Sequence, residues 1–120
     1  MIWIRWGALM MFLGVAMGAF GAHALKAALS PESKIIYQIA VLYHLVHGLG
    51  LLAVGLFSIF KPTVPLLRQA GFAFLLGIIL FSGSLYLLSV TDVKKLGIVT
   101  PFGGLAFLIG WLCLALAAIR

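Results

Sequence analysis

The sequence predicts an all-α membrane protein: one domain over residues 1–120, made of four transmembrane helices in an up-down antiparallel bundle. Of its 120 residues, 65% are hydrophobic and 8% are charged, and the mean hydropathy is +1.29. A water-soluble domain of this size cannot bury so much apolar surface. The apolar residues also form four long stretches without a charged side chain, and the connections between them are short.

Each stretch reaches the ~20 residues that a helix needs to cross about 30 Å of hydrocarbon. The predicted spans are Trp6 to Leu25, Ile35 to Phe60, Gln69 to Thr91 and Leu96 to Ile119. Ser30 followed by Pro31 is typical of an N-cap with proline at the first helical position, so the second helix is expected to begin there. Thr100 and Pro101 repeat this pattern, so the fourth helix is expected to start at Thr100 after an interfacial connection.

The basic residues lie at the ends of the spans, as interfacial anchors do. They form no cluster that could follow a phosphate backbone, so nucleic acid is not an expected partner. The two sides of the predicted bundle carry four basic residues each, which favours neither membrane orientation. The residues are Arg5, Lys61, Arg68 and Arg120 on one side and Lys26, Lys34, Lys94 and Lys95 on the other.

Glycine indicates where the helices approach each other. Four glycines share one face of the first helix at 100° per residue: Gly7, Gly14, Gly18 and Gly21. Close packing within the chain is the expected use of this face, and a homo-oligomer contact is the alternative. In the fourth helix Gly103, Gly104 and Gly110 share a face with Trp111, whose indole N–H is expected to point into the bundle.

Polar side chains are concentrated in the half of the bilayer next to the first and third loops. The candidate ligand-binding positions all lie in that half except His47, which is nearer mid-membrane: His23, Tyr37, Tyr43, His44, His47, Ser82, Tyr86 and Thr100. On the second helix they share one face, which is expected to point inward. The opposite half is almost entirely apolar.

Three interpretations of this polar half stay open. It forms a hydrogen-bonded network that keeps the helices in register, or a pocket for a small molecule or lipid headgroup, or a metal site. The spacing of His44 and His47 would let both reach one ion, but no carboxylate or cysteine completes a ligand set, so no metal or cofactor is predicted. No catalytic residue is predicted either, because no third group would orient a histidine beside a serine.

Four segments resemble a known family of small membrane proteins. They are Gly18-Ala-Phe-Gly-Ala-His-Ala-Leu25, Tyr43-His44-Leu-Val-His47-Gly48, Phe81-Ser-Gly-Ser-Leu-Tyr86 and Thr100-Pro-Phe-Gly-Gly104. In this order they resemble the domain-of-unknown-function 423 family, which includes YgdD-like proteins and is related to transmembrane protein 256. The family's usual motif is Tyr-Gln-x-x-His, so Tyr43 and His47 match it while His44 stands in place of glutamine. The resemblance implies a four-span fold in the bacterial inner membrane and no established activity.

The expected function is therefore the binding of a small ligand, a lipid or a partner protein through the polar half, without enzymatic activity. The alternative is a small transporter or permeation subunit. A conducting path needs polar groups through both halves of the membrane, so this alternative requires an oligomer or a large rearrangement.

Overall fold

The computed structural model describes residues 1–119 and has five α-helices arranged as four membrane spans. The first two spans are α1 (Ile2–His23) and α2 (Pro31–Phe60). The third is α3 (Pro65–Gly77), a π-helical segment (Ile78–Ser82) and α4 (Gly83–Thr91). The fourth is α5 (Thr100–Ile119), which follows a short 3-10 segment (Lys94–Ile98). All four are long and apolar enough to cross a membrane, which confirms the predicted fold class.

Both proline-marked helix starts are confirmed. Ser30 has an extended backbone, and its hydroxyl accepts a hydrogen bond from the backbone N–H of Ser33 at 3.1 Å. Pro31 is the first residue of α2, where its missing N–H costs nothing. α5 begins at Thr100, and the residues before it form the 3-10 segment.

Ser30→Ala is expected to destabilise the protein by about 1 kcal/mol, because it removes the side-chain acceptor for one free N–H of the first turn. Reversible unfolding in mixed micelles measures the effect. Ser33→Ala is the matched control, since the Ser33 backbone donates to the cap and the substitution leaves that N–H in place. Equal effects of the two substitutions would show that the cap does not stabilise α2.

Two helices begin earlier than predicted. α1 starts at Ile2 and α3 at Pro65, whereas the prediction placed the spans after Arg5 and Arg68. A charged residue ends an apolar stretch but does not end a helix, because a long basic side chain can extend to the interface while its backbone stays helical. α1 also ends at His23, two residues before the predicted Leu25.

The glycine face of α1 packs against α2, as the intramolecular interpretation predicted. A Cβ built on Gly7 would lie 2.8 Å from the backbone nitrogen of Leu52, and Gly14 and Gly21 face the side chains of Leu45 and Tyr37. α5 packs along the third span, with α2 between that span and α1.

The apolar core lies mainly in the half of the bundle next to the termini and the second loop. Every span contributes to it, α3 and the π-helical segment most of all: Trp3, Met10, Leu51, Val54, Leu67, Ala70, Phe74, Ile78, Phe107 and Ala117. The other half is left to the polar side chains, so the predicted asymmetry is present in the fold.

Candidate functional site

His47 joins α2 to α5 through both of its ring nitrogens. Nδ1 lies 2.7 Å from the backbone carbonyl of Tyr43, which can only accept, so Nδ1 carries the proton. Nε2 accepts a hydrogen bond of 3.0 Å from the indole N–H of Trp111. The ring is stacked on Phe107 with 3.4 Å between centroids. His47 is therefore neutral in a single tautomer, and a ligand could bond to either nitrogen only by replacing a partner.

The contact with Trp111 confirms half of what the sequence predicted for that residue. Its N–H points into the bundle, but its side chain is 42% exposed and so also faces the surroundings. This position suits an indole, because the ring can contact lipid while the polar atom bonds within the protein.

His44 is buried between α1, α2 and α4. Its Nδ1 lies 2.9 Å from the hydroxyl of Tyr86. The ring faces α1 at Gly14, where a built Cβ would lie 3.5 Å from the His44 Cδ2 atom. Nε2 is enclosed and has no hydrogen-bond partner among residues 1–119. His44 thus contributes to the packing of three helices through one hydrogen bond and close contact with α1.

Three hydroxyl groups connect the same helices. Tyr37 is buried and donates to the backbone carbonyl of Met17 on α1. Ser82, at the end of the π-helical segment, donates to the carbonyl of Ala40 on α2 at 2.8 Å. The i, i+4 spacing of Ser82 and Tyr86 had predicted a shared face, and both residues do contact α2.

Thr100 connects the start of α5 to α4. Its hydroxyl lies 2.7 Å from that of Ser84, which also donates to the carbonyl of Phe81 in the adjoining π-helical segment. Ser84 was not among the predicted site residues. Serines in membrane helices commonly make only the bond back to their own helix. Here the hydroxyl makes both contacts.

Tyr43 and His23 differ from the other candidates. Tyr43 is 40% exposed, packs on Phe81, and makes no side-chain hydrogen bond within residues 1–119. It lines a groove of about 560 Å³ beside Trp111. His23 is exposed at the end of α1 and does not join the cluster. The structure therefore brings the candidates of α2, the third span and α5 together and leaves His23 apart.

The two histidines of α2 face different neighbours. His44 bonds to α4 and faces α1, whereas His47 bonds to α5. Among residues 1–119 no three His, Cys, Asp or Glu side chains gather as a metal-binding group. The i, i+3 spacing in the sequence thus does not place the two rings on a common ion.

A cavity of about 390 Å³ opens between the end of α1 and the beginning of α2. We call it the α1–α2 cavity. Its α1 wall is made of small residues, while α2 and the first loop add larger ones: Gly18, Gly21, Ala22, Lys26, Leu29, Lys34, Tyr37, Gln38 and Val41. The small residues of α1 therefore face longer side chains of α2, and the ring of Tyr37 packs directly against Gly21.

Lys26, Lys34 and Gln38 were not predicted as site residues. Their signal was present in the sequence, because Lys34 and Gln38 are four residues apart and so share one helix face. Gly18 and Ala22 on the facing helix have the same spacing. Only the rotation of α1 against α2 shows that these two faces meet.

The fold and this site define a small helical membrane protein with its polar groups in one half of the bilayer. The chain belongs to the family described as "Protein of unknown function (DUF423)", whose model matches residues 17–104. This confirms the resemblance seen in the four sequence segments.

Relatives match almost the whole chain. A UPF0382 membrane protein of Staphylococcus epidermidis is 44% identical over 119 residues, which cover 99% of this chain and 96% of the relative. The UPF0382 membrane protein YwdK of Bacillus subtilis is 40% identical over 119 residues, covering 99% of this chain and 97% of the relative. No solved structure matches the chain.

Proposed function

We propose that this protein binds a small amphiphilic ligand, specifically a membrane lipid, in the α1–α2 cavity. The observation that carries the proposal is the composition of the cavity wall. Lys26, Lys34 and Gln38 supply polar groups, while Val41 and Leu29 supply apolar surface. Ligand sites combine an apolar lining with a few polar groups in this way. A molecule with a polar head and an apolar chain matches both parts.

The polar cluster supports this proposal by holding the cavity walls in place. Tyr37 lines the cavity and is tied to α1 through the carbonyl of Met17. His44 fixes α2 to α4 one to two turns further along the helix. Tyr37 thus contacts the ligand directly. The other polar residues affect binding only by holding the helices in position: His44, His47, Ser82, Tyr86 and Thr100.

We place the protein in the bacterial inner membrane, with the bilayer itself as its first partner. Apolar helices satisfy their backbone polar groups internally and are suited to that membrane, whereas proteins of the bacterial outer membrane span it as barrels. The bacterial relatives carry the name membrane protein, which supports a membrane location in general.

Transport by a single chain is the weaker alternative. The half of the bundle next to the termini is filled by the apolar core, including the buried Leu51, Val54 and Phe74. A polar solute that entered the α1–α2 cavity would meet no polar path through that half. Absence of solute flux in proteoliposomes, together with ligand binding, is the combination that the proposal expects.

Filling the cavity is expected to abolish binding. Ala22 lines it, so Ala22→Leu adds bulk where the ligand would lie. Ala19→Leu is the matched control, because Ala19 is exposed on the same helix and does not line the cavity. Native mass spectrometry of gently extracted protein should show a bound amphiphile with the parent and the Ala19→Leu protein. The Ala22→Leu protein should have lost it. Equal retention in all three would contradict the proposed site.

A further inference from the structure

Building on the proposed function, we infer that the ligand of the α1–α2 cavity carries a negatively charged phosphate group at the end of its apolar chain. Its head carries no compensating cation, so the ligand is an anionic phospholipid with a net negative charge. The inference rests on the juxtaposition of Lys26, from the first loop, and Lys34, from the first turn of α2, at one cavity that has no acidic residue in its lining.

No acidic residue lines this cavity. The chain has two acidic residues, Glu32 and Asp92, against eight basic ones. Asp92 pairs with Lys94 at 2.9 Å, and Glu32, in the first turn of α2, forms no ion pair with Lys26 or Lys34 among residues 1–119. Two lysines that line one cavity bring charges of the same sign to it, so an anion bound there would be stabilising. A bound phosphate would supply the missing negative charge.

The available hydrogen bonds favour a phosphate over a neutral head. A lysine ammonium offers three donors and no acceptor, and it binds phosphate as a point charge. Gln38 adds an amide that can donate from the same helix face. The Tyr37 hydroxyl already donates to Met17, so Lys26, Lys34 and Gln38 are the lining side chains with hydrogen-bond donors free for the ligand.

The apolar part of the lining indicates that the phosphate belongs to a lipid. Gly18, Gly21 and Val41 continue the cavity along the helices toward the hydrocarbon, away from the lysines. A soluble phosphate compound would leave this surface uncovered, whereas an acyl chain would bury it. A zwitterionic lipid would gain less from the two lysines, because the cation of its own headgroup would be repelled by them.

Binding of phosphatidylglycerol and phosphatidylcholine with identical acyl chains, titrated into delipidated protein and followed by native mass spectrometry, tests the inference. A basic residue near an anionic lipid surface is worth about fivefold in affinity. Lys26→Gln with Lys34→Gln is therefore expected to weaken phosphatidylglycerol binding roughly thirtyfold and to leave phosphatidylcholine binding unchanged. Lys94→Gln with Lys95→Gln is the matched control, with the same charge change outside the cavity.

A second pair of variants keeps the test independent of folding. Lys26→Arg with Lys34→Arg retains both charges, and it is expected to keep the preference for phosphatidylglycerol. Glycerol 3-phosphate, the soluble head without the chains, should bind far more weakly than the lipid. Equally tight binding of the soluble head would overturn the lipid assignment.

Failure of this inference is distinguishable from failure of the proposed function. Equal affinity for the two lipids, with binding still lost in Ala22→Leu, would overturn the anionic headgroup and keep the cavity as a lipid site. Lipid binding that Ala22→Leu leaves intact would overturn both.

Discussion

Gly103→Ala is expected to destabilise the bundle more than any other single methyl group added to the glycine faces of α5. A Cβ at Gly103 would overlap the third span and would lie 2.7 Å from the Cα of Phe81. The obstructing atoms include backbone, so a side-chain rotation cannot relieve the overlap and one helix must move. Overpacking of this kind costs about 1–3 kcal/mol. Equilibrium unfolding of the purified protein in mixed micelles measures the loss.

Gly104→Ala is the matched control. A Cβ at Gly104 would lie 3.8 Å from its nearest neighbour, a ring atom of Phe81, which is an ordinary contact. Both substitutions gain the same helix propensity, about 1 kcal/mol for glycine to alanine. Gly104→Ala should therefore be neutral or stabilising. Similar loss of stability in the two variants would contradict the close approach of α5 to the third span.

His47→Ala is the second substitution with a large expected effect. It removes the ring stacked on Phe107 and leaves the Trp111 N–H without its acceptor. Lost packing and an unsatisfied polar group together are expected to cost about 2–4 kcal/mol. Equilibrium unfolding in mixed micelles measures this total loss of unfolding free energy. The fluorescence emission of Trp111 reports the change around its indole. It is measured in a protein whose Trp3 and Trp6 are replaced by phenylalanine, so that Trp111 is the only tryptophan emitter.

His23→Ala serves as the control, because His23 is exposed and lies outside the cluster. It should leave stability unchanged. Combining His47→Ala with Trp111→Phe closes a double-mutant cycle, in which the two changes should be less than additive because they remove one shared hydrogen bond. Strict additivity would show that the His47–Trp111 contact does not stabilise the fold.

The fold was predictable because lipid imposes simple requirements on the chain. A span needs a fixed length and an apolar composition, so four charge-free stretches were enough to define four helices. Ser30-Pro31 and Thr100-Pro101 added the helix starts, since proline is favoured only at particular positions. The glycines of α1 predicted a packed face, and their contacts lie on α2.

The candidate site was only partly predictable. Depth along each helix identified the polar half, and helical spacing placed Tyr37, His44 and His47 on one side of α2. The hydrogen-bond partners depend on the rotation of neighbouring helices, so the sequence could not assign His47 to Trp111 rather than to a ligand. The π-helical segment before Gly83 was not anticipated either, because a single wide turn leaves no distinct periodicity in a uniformly apolar stretch.

The α1–α2 cavity was missed because its polar residues come from two elements. Lys26 lies in the first loop and Lys34 at the start of α2, where each resembles an ordinary interfacial anchor. They line a cavity only because small residues of α1 face them. That arrangement depends on how α1 and α2 pack together and cannot be read from either helix alone.

Photo-crosslinking from position 38 identifies the molecule that occupies the α1–α2 cavity. A benzophenone amino acid in place of Gln38 faces the α1–α2 cavity, and the same group in place of the exposed Ile39 faces bulk lipid. After irradiation in native membranes, mass spectrometry of the adducts identifies the molecules at each position. We expect one amphiphile to be strongly enriched at position 38 relative to position 39. That amphiphile should be an anionic phospholipid. The same lipid mixture at both positions would contradict this expectation.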